Sequence, residues 1–238
     1  MSKVITDKFY IMIFDFIKGE LLLIDKPLDW TSFDAVNKVR RLLEKKLQTK
    51  LKVGHAGTLD PKATGLLLIC TGGMTKQIVN LTGLDKEYTG AFFIGATTPC
   101  YDTEKPADRT FPTDHITEEM ILSAAKKFTG TIQQVPPTFS AKLIDGKRAY
   151  LSARKNRDIK MEPVTITISE FEILRIALPE VSFRVVCSKG TYIRALARDF
   201  GEALGSGAYL AELRRTRIGE YGIEDALSID QFHALVSS

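Results

Sequence analysis

The stretches VTITISEFEIL (Val164–Leu174) and VSFRVVCS (Val181–Ser188) alternate apolar and polar residues, and this alternation decides the fold class. A period of two places one face of a strand on a core and the other in water, the habit of antiparallel sheets. Just downstream, Thr191 is placed to cap a helix with Ile193, Leu196, Phe200 and Leu204 on one side and Gly205 behind it. Upstream, Thr117 opens a second amphipathic helix with Met120, Ile121, Ala124 and Phe128 inward, and Gly130 ends it. Between these lie Asp145-Gly146, a hairpin-turn signal, and a basic helical piece from Arg148 to Arg157. Toward the amino terminus, Gly19 to Ile24 and Leu66 to Cys70 read as buried strands. Between them, Thr31 or Ser32 caps a helix that turns Phe33, Val36, Val39 and Leu43 inward, and residues 51–62 read as loop. A short helix around Lys76 to Leu81 and a long strand from Glu87 to Thr97 follow. Ser228-Ile229-Asp230-Gln231 is a capping box for a last helix. Strands and helices alternate irregularly, so the expected class is α+β: a mixed, largely antiparallel central sheet flanked by helices. Without repeats or a Pro/Gly/Ser-rich linker, one domain over residues 19–238 is expected, after a loosely attached leader, residues 1–18.

Composition narrows the function without choosing it. The 238 residues carry 33 basic and 29 acidic side chains, a net charge of +4, which permits an anionic partner but does not require one. Cys70, Cys100 and Cys187 form no CxxC pair, and His55, His115 and His233 are scattered. That argues against both a disulfide framework and a protein-built zinc site. The apolar run Phe9 to Phe14, cut by Asp15, is too short for a membrane span or a signal-peptide core, so a cytoplasmic protein is expected.

The chemistry centres on GHAGTLDPKATGLL, Gly54 to Leu67. Glycines bracket His55-Ala56, and Pro61 stiffens the turn directly after Asp60, so the loop can hold one carboxylate in a fixed direction. Taken alone, a glycine-rich connector with a solvated Asp is the simpler reading. The stretch resembles, however, the signature motif of the TruB family of pseudouridine synthases, with its G-H-x-G-x-L-D-P core. Further family motifs follow in order. Leu22 to Pro27 resembles the amino-terminal strand motif, and Asp85-Lys86-Glu87-Tyr88 resembles D-K-x-Y. Cys187 to Arg194 resembles C-S-K-G-T-Y-I-R, and Gly207 with Leu213-Arg214-Arg215-Thr216 resembles the G-A-x-x-x-x-L-R-R segment. The likeness runs from about residue 19 to residue 236.

The resemblance implies the pseudouridine synthase fold and isomerisation of a flipped-out uridine in the T-loop of tRNA, conventionally position 55. It implies no cofactor or metal, because the reaction involves neither redox change nor net hydrolysis. Asp60 would be the nucleophile and Arg194 its buried cationic partner. Tyr88 would stack on the uracil, with its phenol near the C5 proton, and Tyr192 would be a second pocket aromatic. Leu213 would line the pocket, Lys26 would support it electrostatically, and His55 would contact the flipped nucleotide or its neighbours without acid–base duty. On spacing alone, Arg194 and Arg198 read equally well as an exposed basic helix face.

Basic clusters at Lys45, Lys46, Lys50 and Lys52, at Lys147 to Lys160, and at Arg214, Arg215 and Arg217 suit a surface that tracks phosphates. An insertion near 136–160 resembles the family segment that folds over the RNA stem-loop. The expected partner is the tRNA T-stem-loop; no membrane or protein partner is expected, and the state is monomeric. With Ser238 as its last residue, the chain is expected to lack the small RNA-binding module that many members of the resembled family carry. Competing readings are a guide-RNA-dependent relative, an Asp-nucleophile hydrolase, and a non-catalytic tRNA-binding or folding protein.

Overall fold

A computed structural model describes residues 14–137, 143–144, 147–148 and 161–237. In chain order the elements are β1 (Leu21–Lys26), α1 (Ser32–Leu47), β2 (Val53–Ala56), β3 (Ala63–Thr71) and α2 (Ile78–Thr82), the last entered through a 3-10 turn, Gly72–Gln77. Then come β4 (Lys86–Ile94), β5 (Ala96–Thr97), β6 (Arg109–Thr110), α3 (Glu118–Phe128), β7 (Gly130–Gln134), β8 (Leu143–Ile144) and β9 (Lys147–Arg148). The chain ends with β10 (Val164–Ala177), β11 (Glu180–Cys187), α4 (Ile193–Ala203), β12 (Ala208–Ile218), β13 (Tyr221–Gly222), β14 (Leu227–Ser228) and α5 (Ile229–Ser237). The main sheet is mixed and mostly antiparallel, so the expected α+β class holds. The chain divides into two compact units: residues up to Tyr88 together with those from Leu213 onward, and Thr89–Glu212.

In the first unit β3 is the organising strand. It pairs antiparallel with β1 from Gly65 to Cys70. It pairs parallel with β12 at residues 63–65 and antiparallel with β2 at residues 68–71. Both faces of this sheet are covered. Leu22, Ile24, Leu67 and Ile69 pack with Val36, Val39 and Leu43 of α1 and Phe232 of α5, while Leu21, Leu23, Leu66 and Leu68 pack with Leu81, Ile218 and Tyr221. Burial on both faces is why these strands read as continuous apolar runs; each such side chain contributes roughly 1.5–3 kcal/mol.

Thr31 caps α1 in a reciprocal box with Asp34. The expected inward face is corrected at one position: Phe33 is 62% exposed, and Ala35 takes its place beside Val36, Val39 and Leu43. The leader is corrected at its end. Phe16 is buried in the first unit's core, and the Asp15 carboxylate accepts the Lys18 N–H, so order starts before Gly19. Residues 1–13 lie outside the described residues.

In the second unit β10 pairs with β11 and with β7, both antiparallel. Two register shifts, between Ile168 and Glu170 and between Ile173 and Arg175, move the inward positions along β10. They explain why the buried or half-buried set is Val164, Ile166, Ile168, Phe171, Ile173 and Ile176 rather than a strict alternation. Phe92 stacks on Phe183 at 4.2 Å and meets Phe200 of α4 at 5.3 Å, which anchors that helix. The backbone of β8 pairs antiparallel with that of β9, on either side of Asp145-Gly146. The turn itself, the basic piece after it, and the rest of the 136–160 insertion apart from Pro136, Pro137 and these strands lie outside the described residues.

Candidate active site

The Asp60 loop is held at almost every peptide. His55, expected in a loop, sits on β2, because Val53 to Ala56 complete the edge of β3. From there the chain turns through Gly57, at φ 91°, and returns as β3. Ser32, buried at the start of α1, accepts the Leu59 N–H at 2.8 Å and donates its hydroxyl to the Leu59 carbonyl at 3.0 Å. On the other side of Asp60, the Pro61 carbonyl accepts the Asp29 N–H at 2.9 Å, and the Asp60 carbonyl accepts the Ala63 N–H at 3.1 Å. Lys62 pairs with Asp29 at 2.7 Å. Asp60 itself is half-buried.

Arg215 holds the same loop from β12. Only 1% exposed, it donates Nε to the Leu66 carbonyl at 2.7 Å and Nη2 to the Gly57 carbonyl at 3.0 Å, with Nη1 3.5 Å from the Thr58 carbonyl. Gly65 stands opposite Arg215 in the parallel pairing, at φ 103°, and a Cβ there would collide with the Arg215 backbone. Neither the close approach nor the φ suits any other residue.

Lys26 ends β1 with no exposed surface, donating Nζ to the carbonyls of Pro27 at 2.9 Å and Trp30 at 2.6 Å. Burial pushes its pKa down to about 8; the charge of Asp60 is the largest opposing influence, so the two groups share one electrostatic neighbourhood. His55 is pushed below its ordinary value, first by burial and then by the Arg215 charge, against a weaker contribution from the Gly57 backbone. Its Nδ1 is buried with no hydrogen-bond partner among the described residues. Tyr88 is buried on β4, at the last position before the chain leaves the first unit. Leu213, where it re-enters, is half-buried on β12 opposite Ala63.

The second unit carries Tyr192 and Arg194. Thr191 does not cap α4 as expected: its hydroxyl donates to the Ser188 carbonyl, and Tyr192 is the N-cap residue without a side-chain cap bond. Arg194 is 6% exposed; its Nε lies 3.6 Å from Asp102 Oδ2 and its Nη1 donates to the Cys100 carbonyl at 3.3 Å. Asp102 is 3% exposed, and its Oδ1 accepts the Glu104 N–H. The reading of Arg194 and Arg198 as an exposed basic face is therefore overturned. Arg194 is buried, and Arg198 pairs with Asp199 at 2.7 Å.

Residues 40–193 match the family model described as TruB family pseudouridylate synthase, N-terminal domain, and residues 194–237 match that of the tRNA pseudouridylate synthase B C-terminal domain. The chain belongs to the TruB family of pseudouridylate synthases. It is 59% identical over 220 residues to the tRNA pseudouridine synthase B of Flavobacterium johnsoniae, covering 92% of this chain and 96% of that protein. It is 55% identical to the tRNA pseudouridine synthase B of Phocaeicola vulgatus, covering 92% and 93%. Among solved structures, a Cbf5-Nop10-Gar1 complex matches with a TM-score of 0.67 and 29% identity, over 90% of this chain and 54% of the solved chain. This chain thus spans about half of that one.

Within this TruB-family chain, three supporting residues escaped sequence reading: Ser32, Asp102 and Arg215. Ser32 was legible only as a cap, and Arg215 only as a member of the L-R-R segment and of a basic cluster. In the third cluster Arg215 is buried, Arg214 pairs with Asp25 at 2.7 Å, and Arg217 pairs with Glu87 at 3.2 Å. Lys45, Lys46, Lys50 and Lys52 are exposed.

Proposed function

We propose that this enzyme isomerises uridine to pseudouridine in the T-loop of tRNA, at position 55, acting on a flipped-out base. The observation that carries the reading is the half-buried carboxylate of Asp60, on a loop pinned at Leu59, Pro61 and Ala63, in a chain 59% identical to a named tRNA pseudouridine synthase B.

In this reaction the bond from ribose C1′ to N1 breaks, the base turns, and C1′ joins C5. The C5 proton leaves and N1 gains one, so atoms balance without a redox partner, and no cofactor is proposed. Asp60 serves as the nucleophile at C1′ or C6, or as the base at C2′, and in each route it must be ionised. Lys26 and Arg194 are the cations proposed to favour that state. Tyr88 stacks on the uracil with its phenol near the C5 proton, Tyr192 and Leu213 line the pocket, and His55 contacts the flipped nucleotide or its neighbours. Extrusion of a stacked base costs a few kcal/mol, which such contacts partly offset. One catalytic domain, extended at its amino end to include Phe16 and carrying an RNA-clamping insertion near 136–160, acts as a monomer in the cytoplasm and needs no protein partner. No helix of the described residues is long and apolar enough to cross a membrane.

A guide-RNA-dependent mode is the second reading. Incubating an unmodified T-stem-loop with the protein alone separates them. Pseudouridine at one site without any guide supports the first reading, base release would indicate a hydrolase, and binding without reaction would indicate a folding helper. Asp60→Asn should abolish turnover and spare RNA binding; ordinary turnover in that variant refutes the assignment.

A further inference from the structure

Gln134 is the last residue of β7 and has no exposed surface. Its whole side-chain amide is committed to one residue. Nε2 donates to the Tyr192 carbonyl at 3.1 Å, and Oε1 accepts the Tyr192 N–H at 2.9 Å. One planar amide thus matches both backbone groups of Tyr192, as a neighbouring strand would.

Tyr192 sits where such support matters. It is the N-cap of α4, in an extended conformation, and no side chain caps the helix there. The residue after Gln134 adds a second tie, because the Val135 carbonyl accepts Arg198 Nη2 at 3.1 Å. Two consecutive residues at the end of β7 therefore hold α4 at its cap and at its second turn. Arg194, paired with Asp102, lies between those two ties. An apolar side chain would fill the buried place of Gln134 without the desolvation penalty of an amide, so packing alone does not account for the residue.

We propose that Gln134 is a positioning residue for the isomerisation: it fixes the Tyr192 backbone and, through the first turn of α4, the direction of Arg194. The inference rests on the placing of Tyr192 and Arg194 in the site proposed above. Gln134, being fully buried, acts through them and does not touch RNA.

The test uses Gln134→Leu and Gln134→Glu in the full chain, with unmodified tRNA transcript. In Gln134→Leu, kcat should fall roughly tenfold or more while KM holds within about twofold, because misplacement of a site group costs rate rather than encounter. Adding Gln134→Leu to Tyr192→Ala should cost less than it does in the wild type, since the two residues act as a unit. Gln134→Glu supplies a signature that simple packing lacks. A protonated carboxyl has one donor and one acceptor, like the amide, so turnover relative to wild type should recover as pH falls. Amide exchange should quicken at residues 192–196 in Gln134→Leu and stay unchanged across the β10–β11 pairing.

Full turnover in Gln134→Leu overturns the proposal, as does a loss that follows exchange quickened throughout the chain and is not recovered at low pH in Gln134→Glu. Should the wild type form no pseudouridine, the proposed function fails by itself. The exchange arm then still decides whether Gln134 holds Tyr192: unchanged exchange at 192–196 overturns that too.

Discussion

The Ser32 hydroxyl accepts the Leu59 N–H and donates to the Leu59 carbonyl, so a residue at the start of α1 fixes the peptide that leads into Asp60. Thr31 caps α1 independently, so removing the Ser32 hydroxyl leaves the helix start intact. Ser32→Ala strands a buried N–H and a buried carbonyl, an expected loss of about 1–3 kcal/mol. Urea unfolding measures that loss, and single-turnover kinetics should show a slower chemical step at unchanged RNA affinity. A slowed step with no loss of stability would place the role of Ser32 elsewhere.

Arg215 and the exposed lysines should separate in a salt titration. Each exposed cation that contacts a phosphate contributes up to about one unit to the slope of log affinity against log salt. Lys45→Gln with Lys46→Gln is expected to flatten that slope. Arg215→Lys is expected to leave the slope alone and to lower stability, because a single ammonium cannot span the carbonyls of Leu66 and Gly57 that the guanidinium joins. A flatter slope for Arg215→Lys would mean that this arginine reaches RNA.

Periodicity carried most of the fold and little of the support around the site. β10 and β11, α3 and the Ser228 capping box were legible because each is set by spacing within a few residues. Phe33 misled because helical spacing gives a stripe but not its edge, and Ala35, small enough to lie against the sheet, claims the buried position. The signature loop was legible as a motif. The contacts that hold it come from Ser32 and Arg215, 27 and 149 residues away from the groups they bind. No local pattern marks partners so distant. Asp102 is hidden for the same reason, lying at an isolated bridge to Leu210 with nothing nearby in sequence to signal that its side-chain partner is on α4.

Lys26 makes stability depend on pH. Its pKa falls from 10.5 in the unfolded chain to about 8 in the fold. Between those values the unfolded chain holds the extra proton, so stability contributed at this site rises as pH climbs from 8 to 10.5 and is least below 8. The full span is about 3 kcal/mol. Cys70, raised from 9.0 to about 11 by burial, works in the opposite direction over its own range. Because Cys70 is present in both proteins, the stability difference between wild type and Lys26→Met isolates the lysine. That difference should move in favour of the wild type between pH 7.5 and 10.5. A difference that does not change with pH would mean that Lys26 keeps an ordinary pKa.

His55 should leave no mark on the pH–rate profile. Burial and, after it, the Arg215 charge push the imidazole below its ordinary value, which favours the neutral form. The ratio of wild-type to His55→Gln turnover is therefore expected to stay constant above neutrality, and His55→Ala should lose less activity than Asp60→Ala. An inflection in the ratio near neutrality would assign the imidazole a proton to carry.

Asp102 and Arg194 test whether stability and chemistry can be separated at a buried ion pair. Asp102→Asn keeps the shape but removes a charge that is 3% exposed and faces a guanidinium 6% exposed at 3.6 Å. The expected loss is on the order of 3 kcal/mol, since one charge then lies buried without this counter-charge. Replacing both partners, Asp102→Asn with Arg194→Met, removes the mismatch and should recover much of the stability in urea unfolding. Turnover should not recover, because the cation proposed to favour ionised Asp60 is gone. A double variant that regains turnover with its stability would show that Arg194 serves the fold alone.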